Sequence, residues 1–202
     1  MRLLVFSDIH SDLRALERLL DIEADLYVAA GDMVSWARSL DKVGELLARR
    51  AGSVHVIPGN HESESDIARL CERYNLNNLH GRALLAGGHH IAALGYSNRT
   101  PFDTPGEYTE SELAERLQPF AALKPLILVC HCPPKGTALD RAGEGLHFGS
   151  SAIREFIDRQ QPVYFFCGHV HEAEGKETLL GATKAVNVGK RGFLLEIDEA
   201  LE

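Results

Sequence analysis

Three imidazoles and a carboxylate stand in two short patterns far apart in the chain, Asp8-Ile9-His10 and His169-Val170-His171. Residues two apart project to one side of an extended segment, so both outer side chains of such a triplet can face a single ion. Between them lie Gly31-Asp32, Gly59-Asn60-His61-Glu62 and His131. Each of the five blocks directly follows an apolar run of strand length. Open α/β sheets place their sites at strand carboxyl ends, where the loops converge, and half of the ten histidines fall in these endings. A glycine before Asp32, Asn60 and His169 lets the backbone turn sharply off its strand. Oxygen and imidazole donors without thiolate suit Mn²⁺, Fe or Zn²⁺. One carboxylate can bridge a pair of such ions, which then clamps the attacking and leaving oxygens of an in-line phosphoryl displacement.

The elements that must position these residues read as strands alternating with helices. Strands are expected at 2–7, 26–30, 54–57, 83–85, 90–95, 126–130 and 163–167, and short strands with glycine turns at 177–180, 184–188 and 192–197. Leu13, Leu16, Leu19 and Leu20 recur at helical spacing behind Ser11, read as the N-cap. Further helices are expected over 40–50, 63–74, 109–118 and 150–160, with Glu112 at a capping-box position. The segment 97–108 reads as a long polar loop. Strands interleaved with helices, then strands alone, imply a mixed α/β domain with more than one sheet.

A length of 202 residues, 45% apolar and 25% charged, suits one globular domain over 1–202. No apolar run approaches the 18 or so residues of a membrane span, and 1–8 shows no secretory cleavage pattern, so a cytoplasmic protein is expected. The net charge of −8 disfavours nucleic acid as a stable partner. Cys71, Cys130, Cys132 and Cys167 sit in or beside apolar runs and read as reduced, buried thiols. Cys130-His131-Cys132 is a poor match to thiolate zinc spacing. His55, His80, His89 and His90 read as structural or solvent-facing.

Taken in order, the five blocks resemble the calcineurin-like metallophosphoesterase superfamily, and specifically its small bacterial and archaeal phosphodiesterase-like members. The resemblance runs from Asp8 to His171 and more loosely to Ile197. It implies an αββα sandwich, two mixed sheets face to face with helices outside, and two divalent ions, Mn²⁺ first, with Fe, Zn²⁺ or Ni²⁺ compatible. By motif position, Asp8, His10 and His171 would hold one ion; Asn60, His131 and His169 the other; Asp32 would bridge. His61 matches the family's catalytic histidine, which protonates the leaving oxygen while a water held between the ions attacks phosphorus. Many relatives carry an acidic residue where Ser35 stands, and the protein-phosphatase branch has an arginine soon after its G-N-H-E block, where this chain has Ser63-Glu64-Ser65. Both departures favour a phosphodiesterase acting on a small-molecule phosphoester. The alternatives are a phosphomonoesterase or nuclease of the same fold, and a non-catalytic scaffold, against which the retained His61 argues. Arg99, in the polar loop, is a candidate phosphate contact. His147 leads into a helix whose hydroxyl-bearing N-terminus, at Ser150 and Ser151, could receive an anion. A homo-oligomer is compatible with all of this.

Overall fold

Residues Arg2–Phe6 form strand β1 in a computed structural model that describes residues 1–197. Leu4 and Phe6 face one apolar cluster and Leu3 and Val5 another, the period of two that a pleated strand imposes. In chain order there follow α1 (Leu13–Asp21), β2 (Leu26–Ala29), α2 (Leu40–Leu47), β3 (Val54–Val56), α3 (Glu64–Tyr74) and β4 (Asn77–Asn78). The middle holds β5 (Arg82–Ala86), β6 (His89–Leu94), β7 (Ser97–Asn98), β8 (Glu107–Tyr108), α4 (Glu110–Leu117) and β9 (Leu126–Cys130). The last elements are α5 (Ser151–Gln160), β10 (Tyr164–Cys167), β11 (Glu177–Leu180), β12 (Thr183–Asn187) and β13 (Phe193–Glu196).

One sheet has the order β13-β1-β2-β3-β4, parallel except where β13 returns along β1. The other, β11-β12-β10-β9-β6-β5, is parallel at its centre and closed at both edges by antiparallel pairs. Three apolar clusters correspond to three interfaces between four layers. Leu16, Leu20, Val43, Leu47 and Ile67 from α1, α2 and α3 pack on Phe6, Tyr27 and Val56. Leu3, Val5 and Val28 meet Ile127, Val129 and Phe166 between the sheets. Leu113, Leu117, Ile153 and Ile157 from α4 and α5 cover Leu94, Leu128 and Phe165. The αββα sandwich is therefore the observed architecture. Each side chain so buried contributes about 1.5–3 kcal/mol, and the shared orientation of β1, β2, β3, β9 and β10 brings their carboxyl ends to one rim.

Two local expectations are corrected. The N-cap of α1 is Asp12, whose carboxylate accepts from the Ala15 amide at 3.1 Å, not Ser11. His10 and Ser11 occupy left-handed backbone (φ 45° and 64°) while the chain turns, so the helix starts one residue later. The 97–108 segment is not an open loop: its ends pair as β7 and β8, and it is tied to the rim as described below. No helix among the described residues is long and apolar enough to cross a membrane.

Candidate metal centre

Strand ends alone do not aim side chains inward; the turns after them do. Asp8, His10, Asp32 and His169 all have φ between 45° and 69°, a conformation that costs a non-glycine residue about 1–2 kcal/mol and persists where surrounding contacts enforce it. Those contacts are a ladder between the first two turns: Asp8 N–H to Gly31 O at 3.0 Å, His10 N–H to Asp32 O at 3.0 Å, and Ser11 N–H to Met33 O at 2.9 Å. Close approach fixes two glycines. A Cβ on Gly31 would lie 2.7 Å from His131 Nδ1, and one on Gly59 would collide with the Asp32 carboxylate.

Seven sequence-chosen side chains converge there. Asp8, His10 and His171 offer one group of mutually close donor atoms, and Asp32, His131 and His169 a second. His10 Nε2 lies 3.0 Å from His171 Nε2 and 3.7 Å from Asp32 Oδ2. His171 Nε2 is 3.4 Å from Asp8 Oδ1. Asn60 Oδ1 sits 3.2 Å from His131 Nε2 and 2.9 Å from His169 Nδ1. Asp32 Oδ2 is 3.4 Å from His131 Nε2, so this carboxylate faces both groups.

These donors demand a cation. His131 Nδ1 donates to the Ala30 carbonyl at 2.9 Å, which leaves only a lone pair on Nε2 of the neutral ring. That lone pair faces Asp32 Oδ2 and Asn60 Oδ1, both acceptors, because the amide of Asn60 is oriented from behind. Its Nδ2 donates to Thr104 Oγ1 at 3.1 Å, and Thr104 Oγ1 in turn donates to Glu107 Oε1 at 2.6 Å. Lone pairs crowded together in a buried site are stable only around positive charge, a proton or a metal ion. The titrations agree. Burial opposes charge on His131, yet the Asp32 carboxylate lifts it to about 9. Burial would raise Asp32, but His131 and His10 hold it far below the usual carboxylate range. His169 is pressed down to about 4 by burial and then by the charge of His131. The residues present thus fit a pair of divalent ions, with Asp32 between them.

Several supporting residues were not legible beforehand. Glu62, fully buried, accepts from the amides of Asp32 (3.0 Å), Val34 (3.0 Å) and Gly59 (2.8 Å). Burial and then the charge of Asp32 lift its carboxyl to about 8, against the pull of those amides. Ser35 Oγ lies 3.0 Å from His10 Nδ1; the departure noted in sequence is thus a partner for the His10 ring. The 97–108 segment holds Asn60 through Thr104 and through Gly106 N–H to Asn60 O at 2.9 Å. His61 is fixed twice: its own amide donates to Asp32 Oδ1 at 3.0 Å, and its Nδ1 accepts the Trp36 amide at 3.3 Å. An amide can only donate, so the ring proton of neutral His61 is on Nε2.

A cavity of about 410 Å³ opens on Asp8, His10, His61 and His171 and is also lined by Ser35, Glu174, Asn187, Gly189 and Lys190. Arg99 and His147 are not among its lining residues. Arg99 is exposed and carries no ion pair among the described residues. His147 Nδ1 is held by the buried Asp140 at 2.8 Å. The helix N-terminus beyond it is already filled: Ser150 caps α5, and Glu110 Oε2 accepts from Ser150 Oγ at 2.7 Å and from the Ala152 amide at 2.8 Å. An anion expected at Ser150 and Ser151 would meet that carboxylate. Lys190, in the turn before β13, is the cation that faces the cavity instead. The four cysteines are free and buried, and burial raises each thiol. His80, expected to be structural, bonds Glu64, Tyr108 and the Gly95 amide.

A family model described as calcineurin-like phosphoesterase matches residues 1–173. An uncharacterized protein of Methanocaldococcus jannaschii is 30% identical over 202 residues, spanning 96% of this chain and 91% of that protein. A solved structure from Thermus thermophilus superimposes with a TM-score of 0.71 at 20% identity, covering 93% of this chain and 88% of that one. The phosphopantetheinyl hydrolase of Mycobacterium tuberculosis superimposes with a TM-score of 0.65 at 15% identity, covering 93% and 88%.

Proposed function

This chain belongs to the calcineurin-like phosphoesterases, metal-dependent hydrolases of phosphoesters, and from that membership and the geometry of the rim we propose that it is a phosphodiesterase with two divalent ions, Mn²⁺ first, and His61 as general acid. The observation that carries the reading is the convergence of Asp8, His10 and His171 with Asp32, His131 and His169 on either side of one carboxylate. Such a pair of ions supplies ionisation of a water near neutral pH and neutral charge balance for the phosphoryl oxygens. In this reading Asp8, His10 and His171 would hold one ion and Asn60, His131 and His169 the other, with Asp32 the carboxylate available to both. Nδ1 of His61 lies against the Trp36 amide, which leaves Nε2 as the available ring nitrogen; in this reading the imidazolium gives its Nε2 proton to the leaving oxygen and returns to the neutral ring.

Charge favours a diester over a monoester. Among the described residues Lys190 is the one Lys or Arg lining the cavity, and its ammonium already lies 3.5 Å from Asp12 Oδ2. A dianionic monoester gains more from a guanidinium fork or further cations than a monoanionic diester does, and the cavity lining offers neither beyond this one lysine. Protein reconstituted with Mn²⁺ is expected to hydrolyse bis(4-nitrophenyl) phosphate faster than 4-nitrophenyl phosphate, to lose the activity with a chelator, and to regain it on addition of Mn²⁺. Preference for the monoester would remove the diester assignment. Inertness of metal-loaded protein towards both would remove the hydrolase reading.

Ser35 gives a test of the ligand assignment. Partners that orient a ligating imidazole are worth about 10–100-fold in metal affinity or activity. Ser35→Ala is therefore expected to weaken one of two Mn²⁺ sites by about that factor, read by calorimetric titration, while the second site keeps its affinity. Weakening of both sites equally would show that His10 does not belong to one ion.

A further inference from the structure

The geometry points to Trp36 as the platform on which the leaving group of the substrate stacks, and hence to phosphoesters whose leaving group carries a planar ring, a nucleoside or an aryl group. This rests on the hydrolase reading above and deepens it. Three imidazole and indole rings stand in a row outward from the candidate ions. The His61 ring lies 5.3 Å from that of His10 on one side and 5.4 Å from that of Trp36 on the other, edge-on to each at 84° and 80°. A group that receives its proton from His61 departs from phosphorus on the side of His61, and the indole, which does not itself line the cavity, is the exposed ring in contact with His61 there.

Trp36 is built to stay there. It is the only tryptophan in the chain, and it is 47% exposed although burial of so large a ring is strongly favoured. The backbone beneath it is left-handed at Trp36, Ala37 and Ser39 (φ 54°, 52° and 65°), a strain that non-glycine residues carry where the surroundings over-determine it. Its amide is spent on His61 Nδ1. The same turn therefore contacts His61 through its backbone and places an exposed indole beside it. Stacking is tolerant of ring identity, because every planar base offers a π-face, which suits a platform more than a recognition pocket.

The test compares methyl phosphodiesters of adenosine and of glycerol with the Mn²⁺-loaded enzyme. A single base–aromatic stack corresponds to about a 5- to 150-fold effect. In Trp36→Ala the ratio of kcat/KM for the adenosine ester to that for the glycerol ester is expected to fall by about that factor, chiefly through KM, and Trp36→Phe is expected to restore most of it. An unchanged ratio overturns the platform. Because Trp36 is the sole indole, its fluorescence reports the contact independently of turnover. Saturable quenching by adenosine monophosphate, and none by glycerol phosphate, is the expected result. Absence of that quenching overturns the proposal even in an active enzyme, and its presence upholds the platform even if no phosphoester is turned over, which would overturn only the hydrolase reading.

Discussion

His61→Ala is expected to lower kcat/KM for an alkyl phosphodiester by about 10²–10⁴, the usual worth of a positioned general acid, while both ions remain bound. The geometry separates the two effects. Alanine keeps the amide that donates to Asp32 Oδ1 at 3.0 Å, so the shared carboxylate retains its partner. The two donor groups that flank Asp32 are complete without the imidazole. What is lost is the Nε2 proton, and its loss matters in proportion to how badly the leaving oxygen needs it. A 4-nitrophenolate departs well unprotonated, so the defect on bis(4-nitrophenyl) phosphate is expected to be much smaller than on a glycerol ester. Measuring both substrates alongside metal content by elemental analysis checks each half. His61 also lies within reach of His10 and Asp32 as a third group of donor atoms. Loss of an ion from the variant, or an equal defect on both leaving groups, would make it a ligand rather than an acid.

What was readable in the sequence follows the range of the forces involved. Strand identity is local: runs such as Leu126–Cys130 are apolar at every position because both faces of a central strand are covered, and the order of the candidate site residues follows from the strands that carry them. Caps are local as well: the capping box expected at Glu112 forms with Thr109, and the structure adds a second between Ser63 and Asp66. Ser11 does not cap α1 because the left-handed turn at His10 and Ser11 delays the helix by one residue, to the Asp12 cap. Supporting contacts are long-range and have no periodic signature. Glu62 reaches Asp32 across thirty positions, and Asn60 owes its orientation to Thr104 forty-four positions away. Lys190 sits in a turn between glycines that reads as an ordinary surface connection, yet the turn leads back to the cavity because β13 must pair with β1. Arg99 and His147 were chosen for residue type within loops, and residue type does not say which way a loop leans.

Glu62→Ala is expected to destabilise the metal-free protein by about 4 kcal/mol or more, a large share of the 5–15 kcal/mol that holds an ordinary domain together. Three amides, of Asp32, Val34 and Gly59, end on its two oxygens, and the residue is fully buried. Each donor left unpaired in such a place costs about 1–3 kcal/mol, before the cavity left by the side chain is counted. Glu62→Gln keeps the volume but offers one acceptor oxygen. Its amide group must then point N–H at one of the backbone N–H groups, so a smaller loss of about 1–3 kcal/mol is expected. Urea unfolding without metal isolates this from ligand loss, since bound ions add their own stabilisation by mass action. The same amides set the turn that aims Asp32, so both variants are expected to bind Mn²⁺ more weakly even where they remain folded. A Glu62→Ala protein as stable as wild type would mean that water satisfies all three amides. The Glu62 side chain would then be no support for the turn, and the placement of Asp32 would rest on the Asp8–Gly31 ladder alone.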